Sequence, residues 1–440
     1  MNNKLEKKIH LIAVDMGYGH QRAAYPLIPL SYNGIVTANN YEGIDLQEKK
    51  SWEGNKRGYE FISYFKKLPI VGDLVFSVMD YFQKIDNFYP KRDLSKPSFQ
   101  QKFFYKKIKK GLGKKLIDKL NKNPLPLVTS FFVSAYFAEY YNYMGEIYCI
   151  VCDADISRAW APLKPKESKI KYLVPNKRVK ERLKLYGVKD NNIFISGFPL
   201  PSENIGNNKN ILKKDLQERI INLDPTGVYR KKYKKLIEDY LGPVDYKAKI
   251  KRPLTITFAV GGAGAQRDLG VEILKSLQKE IEKNEMKLNL IAGSRLDVYS
   301  FFKKNVENLC PNTKSVKIVY NENKVEYFKE FNQVLRTTDI LWTKPSELTF
   351  YSGLGIPIIM SEPIGSQEHY NREWLLAIGA GIDSEKVNFT DQWLFDWLRS
   401  GWLAEAAMQG FLDAPNTGTE NIENIVLNNK VKEIDDIHLL

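Results

Sequence analysis

His20 lies in the run Val14-Asp15-Met16-Gly17-Tyr18-Gly19-His20-Gln21-Arg22-Ala23-Ala24, directly after the apolar stretch Ile9–Ala13. A strand that ends in Gly-x-Gly and opens a helix lets another group come close to the backbone. In the first helical turn an imidazole can cap the helix, face a phosphate or act as a base. The positive end of the helix dipole favours its neutral, proton-accepting form. A purely structural cap is more often Ser, Thr, Asp or Asn, which leans the reading toward chemistry.

A second glycine-rich turn follows the apolar run Leu254–Val260: Gly261-Gly262-Ala263-Gly264-Ala265-Gln266, then a helical pattern. Backbone N–H groups at such a turn form an anion site, although tight packing alone also explains one glycine-rich turn. Two of them opening two strand series point to ligands at the carboxyl ends of two sheets. The densest polar cluster runs from Ser361 to Arg372 and contains Gly365, Ser366, Gln367, Glu368 and Asn371. These residue types hydrogen-bond sugar and ribose hydroxyls; a solvated loop with a helix cap is the plainer account. Thr343-Lys344-Pro345-Ser346-Glu347 closes another strand on the same edge. Asp153-Ala154-Asp155 has the spacing of a metal–diphosphate site, or else Asp153 acts alone at a strand end. Cys149-x-x-Cys152 has no second pair to complete a zinc site and sits in an apolar run, which reads as buried strand.

These groups need a scaffold. Apolar strands alternate with amphipathic helices in two series. The first comprises Ile9–Val14, a strand near Leu125–Ser130, Glu146–Cys152, Tyr172–Val174 and Ile193–Ser196. The second comprises Leu254–Val260, Lys287–Ala292, Ser315–Tyr320, Asp339–Trp342 and Pro357–Met360. Helical patterns such as Lys177–Tyr186 and Asp268–Asn284 lie between them. That order predicts an α/β protein with two doubly wound parallel sheets.

The ordered motifs resemble those of the two-domain GT-B glycosyltransferases, especially the peptidoglycan GlcNAc transferases and the monogalactosyldiacylglycerol synthases. Gly17-Tyr18-Gly19-His20 matches their GGGH-type turn, with Tyr18 where the family has glycine. Val188–Pro199 resembles the segment that closes their first domain. Thr343-Lys344 through Ile359, then Gly365-Ser366-Gln367-Glu368 and Asn371, resemble the motifs of their second domain. The stretch from Lys344 to Pro357 is shorter than in those families. The position of their ribose-binding glutamate therefore falls near Phe350 or Tyr351, with Glu347 as the substitute.

The resemblance implies two Rossmann-like domains facing across a cleft, with C-terminal helices. Residues 1–201 would be the acceptor-side domain, with a basic aromatic insertion at about 50–122; 202–252 a linker with a helical insertion; 253–390 the nucleotide-sugar domain; and 391–440 helices packing across the boundary. It implies transfer of a sugar from a nucleotide donor, a UDP-sugar, with inversion, and neither a metal nor a cofactor. His20 would be the base with Asp153 beside it, and Gly17, Tyr18 and Gly19 would lie on the acceptor side. Gly261, Gly262, Ala263, Gly264, Gln266, Lys344, Glu347, Gly365, Ser366, Gln367, Glu368 and Asn371 would hold the donor. A GT-B-fold nucleotide-sugar epimerase and a silent binding protein for phosphate-rich ligands are the rival readings.

The net charge of +14 over 440 residues favours anionic partners, and no nucleic-acid motif accompanies it. Lys102–Lys122 holds nine lysines and one acid, Asp118. Tyr105, Ile108, Leu112, Leu116 and Leu120 recur there at helical spacing. Such a face suits an anionic membrane surface and a lipid-linked or membrane-associated acceptor. An ordinary helix packed on its own domain fits equally, and Gly111 and Gly113 argue against one continuous helix. The N-terminus has no secretory h-region, and the longest apolar stretch, Leu68–Met79, is interrupted by Pro69, Gly72 and Asp73. The expected location is cytoplasmic, peripheral on the inner face of the cell membrane.

Overall fold

The computed structural model describes residues 8–52, 84–243, 245, 247–250, 252–259, 261, 264, 266–363, 365–431 and 434. The described residues contain two six-stranded sheets, and every strand pair is parallel. This is the doubly wound α/β class expected from the strand–helix alternation.

The first compact unit comprises Met1–Leu200, Ile364–Asn371 and Thr417–Leu440. Its strands are β1 (Ile9–Ala13), β2 (Ser31–Thr37), β3 (Leu127–Thr129), β4 (Ile147–Ile150), β5 (Lys171–Val174) and β6 (Ile193–Ile195), in the order β2-β1-β3-β4-β5-β6. β1, β3 and β4 are buried throughout, as a sheet covered on both faces requires. β2, with no apolar run, sits at the edge and is half exposed. The helix Gly418–Asn428 closes this unit. Its Thr419 Oγ1 donates to Leu200 O at 2.5 Å, and Asn421 Nδ2 donates to Ser196 O at 3.0 Å. Gly418 is required there, because a Cβ would lie 2.0 Å from Phe198 O.

The second unit comprises Pro201–Pro363 and Arg372–Asn416. Its strands are β7 (Leu254–Ala259), β8 (Met286–Gly293), β9 (Val316–Tyr320), β10 (Ile340–Thr343), β11 (Ile358–Met360) and β12 (Gly381–Asp383), in the order β12-β11-β10-β7-β8-β9. The segment expected as a linker is built into this unit. The buried Arg219, on the helix Asn210–Leu223, donates to the carbonyls of Thr338, Leu335, Leu354 and Gly355. Burial pulls its guanidinium down to about 10. The helices Thr390–Ser400 and Trp402–Asp413 belong here as well.

Both sheets reverse winding beside their first strand, β1 against β3 and β7 against β10. Ligand crevices of open α/β sheets form at such points, beyond the strand carboxyl ends.

Candidate active site

In the first unit the switch point is occupied by His20. β1 runs into a turn in which Gly17 has φ +103°, a conformation that favours glycine, and the short helix Gly19–Ala24 follows. His20 Nδ1 lies 2.6 Å from the carbonyl oxygen of Ser130, just beyond β3, and Ser130 Oγ donates to the carbonyl of His20 at 2.7 Å. A carbonyl can only accept, so Nδ1 carries the proton and the neutral ring has its lone pair on Nε2. The reciprocal pair fixes both the tautomer and the ring plane. Phe131 meets the imidazole edge-on at 5.0 Å between centroids, and Trp160 lies 6.4 Å away. Phe132 and Trp52 extend this aromatic wall. Tyr18 is buried and takes Arg22 over its ring at 5.7 Å.

The loop after β4 contributes Cys152 and Asp153. Cys152 Sγ is 4.0 Å from His20 Nδ1, so the residue before Asp153 touches the imidazole. Asp153 Oδ1 accepts from Asn371 Nδ2 at 3.0 Å, and Asn371 Oδ1 accepts from the Ala154 N–H at 2.7 Å. Asn371 is fully buried, and its carboxamide orients Asp153 from both sides of the peptide. Asn176 Nδ2 donates to the Ala154 carbonyl at 3.1 Å, while its Oδ1 caps the helix Lys177–Leu185.

Asp155 is a different kind of residue. It is completely buried, accepts from Arg178 Nε at 2.8 Å, and is gripped by Arg182 through Nε and Nη2, both at 2.8 Å. Burial alone would lower the Arg182 guanidinium, but the bonds and charge of Asp155 raise it. The two carboxylates of the D-x-D are thus split: Asp155 is locked in a structural ion pair, and Asp153, which follows the Cys152 that touches the imidazole, accepts from Asn371. Cys149 is buried as strand core, and burial pushes its thiol well up.

In the second unit the switch point holds Gly261 and Lys344. A Cβ on Gly261 would lie 2.8 Å from Lys344 Cε, so glycine makes room for the lysine. Gln266 adopts φ +65°, donates to Glu362 O at 3.1 Å, and accepts from Ser361 Oγ at 3.0 Å. Gly264, at φ +69°, packs near Val298 and Arg295. Gly262 and Ala263 lie outside the described residues. Glu347 opens the 3-10 helix Glu347–Leu354 and is partly buried. Phe350 packs on Trp374 at 4.9 Å and Tyr351 near Phe331 at 6.2 Å, so the register expected for a ribose carboxylate is occupied by core aromatics.

Gly365, Ser366, Gln367, Glu368 and Asn371 group with the first unit, whereas the glycine turn, Lys344 and Glu347 group with the second. Ser366 starts the helix Ser366–Ala377, Gln367 lies close to Gly365, and Glu368 is buried. Sequence reading missed Ser130, Asn176, Arg178 and Arg182. Only Asn176, a capping residue before Lys177, carried a visible signal.

The lysine-rich segment forms two helices, Phe99–Lys109 and Lys114–Leu120. Gly113 separates them at φ +79°, where a Cβ would run into the Phe137 ring. Tyr105, Ile108, Leu112, Leu116 and Leu120 are buried in the core of the unit, so the apolar stripe is spent on packing. Phe99 and Phe103 remain exposed among Lys102, Lys106, Lys109 and Lys110. Lys115 pairs with Asp45 at 2.5 Å and Lys119 with Glu42 at 3.2 Å. Leu68–Met79 lies outside the described residues. No described helix is long and apolar enough to cross a membrane.

Comparison with known proteins agrees with the resemblance drawn from the motifs. The chain is 21% identical over 387 residues to a processive diacylglycerol β-glucosyltransferase of Bacillus licheniformis, covering 86% of this chain and 82% of that protein. A domain family of unknown function, DUF6938, matches residues 297–383. Among solved structures, Acinetobacter baumannii MurG matches with a TM-score of 0.48 at 11% identity, covering 96% of this chain and 99% of the other. A Methanocaldococcus jannaschii UDP-GlcNAc 2-epimerase, in complex with UDP-GlcNAc and UDP, matches with a TM-score of 0.40 at 12% identity, over 96% and 99%. The chain thus has, among the proteins it is similar to in sequence, a lipid glycosyltransferase.

Proposed function

We propose that this protein transfers a sugar from a UDP-sugar to the hydroxyl of a lipid acceptor, with inversion at the anomeric carbon. The observation that carries the reading is the reciprocal His20–Ser130 pair at a sheet switch point, with Cys152 against the imidazole and Asp153 next to it in the loop after β4. Nε2 of His20 takes the acceptor proton as the acceptor oxygen bonds to the anomeric carbon. The bond from that carbon to the diphosphate oxygen breaks, and the nucleoside diphosphate leaves with the electron pair. The Asp153 carboxylate stabilises the imidazolium that forms. Backbone N–H groups of the 261–266 turn and the Lys344 ammonium would stabilise the charge on the departing diphosphate. No metal is needed in this scheme.

The acceptor class draws on the diacylglycerol substrate named for the Bacillus relative, and on the aromatic wall beside His20. The exposed lysines and phenylalanines of Phe99–Lys109 would hold the protein at an anionic bilayer. The test is incubation with a panel of nucleotide sugars and vesicles containing diacylglycerol, followed by mass spectrometry of the lipid and the nucleotide. Glycosylated lipid supports the proposal. An epimerised nucleotide sugar without glycolipid would replace it with the epimerase reading, and unchanged substrates with intact binding would leave only a binding protein.

A further inference from the structure

Strands of a sheet covered on both faces are apolar almost throughout. β7, β8 and β9 depart from this at their amino ends. Thr255 pairs with Lys287, Thr257 with Asn289, and Asn289 with Lys317, while Ser315 precedes β9 and accepts from the Leu288 N–H. Because alternate residues share a face, three adjacent strands present threonine, lysine, asparagine and serine on one side. Above that face is a cavity of about 300 Å³ lined by Thr255, Lys287, Asn289, Ser315 and Lys317, by Lys314, and by Gln333, Val334 and Thr337 of the overlying chain.

The floor is built from buried groups. Thr255, Asn289 and Ser315 are 3%, 7% and 3% exposed, so they are not a solvated edge. Asn289 Nδ2 donates to Thr257 Oγ1 at 3.0 Å, Thr257 and Thr338 share a hydroxyl bond of 2.6 Å, and Thr338 Oγ1 donates to Val334 O at 3.0 Å. This chain fixes the floor. Of the three lysines, Lys317 pairs with Glu330 at 3.2 Å; neither Lys287 nor Lys314 meets a carboxylate among the described residues. The site's charge, three lysines less one glutamate, is +2, which balances a phosphate or phosphomonoester near neutral pH. Lysine serves such a ligand as a compact charge. The carboxamide N–H groups of Asn289 and Gln333 are the neutral donors in the lining, because the Thr255, Ser315 and Thr337 hydroxyls already donate to Pro253 O, Asn284 Oδ1 and Val334 O.

We infer that this cavity binds a single phosphate group, free or as a phosphomonoester. It is a second anion site, at the opposite edge of the sheet from Gly261 and Lys344, roughly 20 Å away along a six-residue strand. Its occupant is therefore not the donor diphosphate, and the inference stands apart from the proposed reaction.

The experiment is calorimetric titration with sodium phosphate against sodium chloride at equal ionic strength. It uses the wild type, the double variant Lys287→Gln/Lys314→Gln, and Lys344→Gln. Both lysines are exposed, so the double variant should melt with the wild type in chloride. With UDP present to occupy the proposed donor site around Lys344, phosphate should still bind the wild type, and it should still bind Lys344→Gln. The double variant should bind roughly tenfold or more weakly, the loss expected for a charge-assisted hydrogen bond. Parallel titrations with glycerol 3-phosphate, and sedimentation with phosphatidylglycerol vesicles, separate a soluble ligand from a headgroup. A double-variant defect in the first assigns the soluble source, and one in the second alone assigns the lipid. Phosphate binding unchanged in the double variant, or lost in Lys344→Gln alone, would overturn the site.

Discussion

Asn371 separates two accounts of the polar cluster that follows β11. If it reads the sugar, its removal should weaken donor binding. Its bonding points elsewhere: the carboxamide is fully buried, accepts from the Ala154 N–H at 2.7 Å, and donates to Asp153 at 3.0 Å. Asn371→Ala leaves a buried N–H without its acceptor, costing about 1–3 kcal/mol, and removes a bond to a carboxylate worth about 1.5–3 kcal/mol. Solvent reaches Asp153 and recovers part of the second term, so the expected net loss of stability is about 2–4 kcal/mol. In a transfer assay on the folded fraction, kcat should fall because Asp153 is no longer aimed, while the donor KM changes little. Urea unfolding and steady-state kinetics on the same preparation give both numbers. Unchanged stability, or a raised donor KM at normal kcat, would refute the positioning role and restore sugar recognition.

Asp155→Asn should lower stability by about 3–5 kcal/mol, the cost of breaking a buried pair, without altering the chemistry of the folded enzyme; a surface-like loss in urea unfolding would contradict this. Gly261→Ala should push Lys344 aside and weaken UDP binding roughly tenfold while the melting temperature stays within a few degrees; unaffected UDP binding in calorimetry would remove Lys344 from the donor site. Sedimentation with anionic vesicles should fall as salt rises and fall at least roughly tenfold on changing Lys102, Lys106, Lys109 and Lys110 to Gln, given about 1 kcal/mol per lysine. Binding that survives both changes would remove these helices from the membrane face.

The central strands of both sheets were legible because they are buried on both faces and read as apolar runs. The edge strands β2 and β12 were not: Ser31–Thr37 contains Asn33 and Gly34, and Gly381–Asp383 is three residues of mixed character. The turn after β1, where Gly17 takes φ +103° ahead of the helix that carries His20, was legible from residue type alone. What could not be read was the division of labour in Asp153-Ala154-Asp155. It depends on Arg178, Arg182 and Asn371, the last more than two hundred residues away in sequence. The stripe Tyr105–Leu120 illustrates the opposite limit. Helical spacing identified an apolar face, but whether a core or a bilayer covers it is decided by the tertiary fold, and here the core does.

The most direct measurement is acceptor-dependent release of nucleoside diphosphate from a UDP-sugar by the wild type and by His20→Ala, in the presence of diacylglycerol vesicles. With His20 as the base, the wild type should release UDP only when acceptor is present, and His20→Ala should lose ~10²–10⁴ in turnover. Its affinity for UDP should remain at the wild-type value. Near-normal turnover in His20→Ala, or UDP release indifferent to acceptor, would contradict the account.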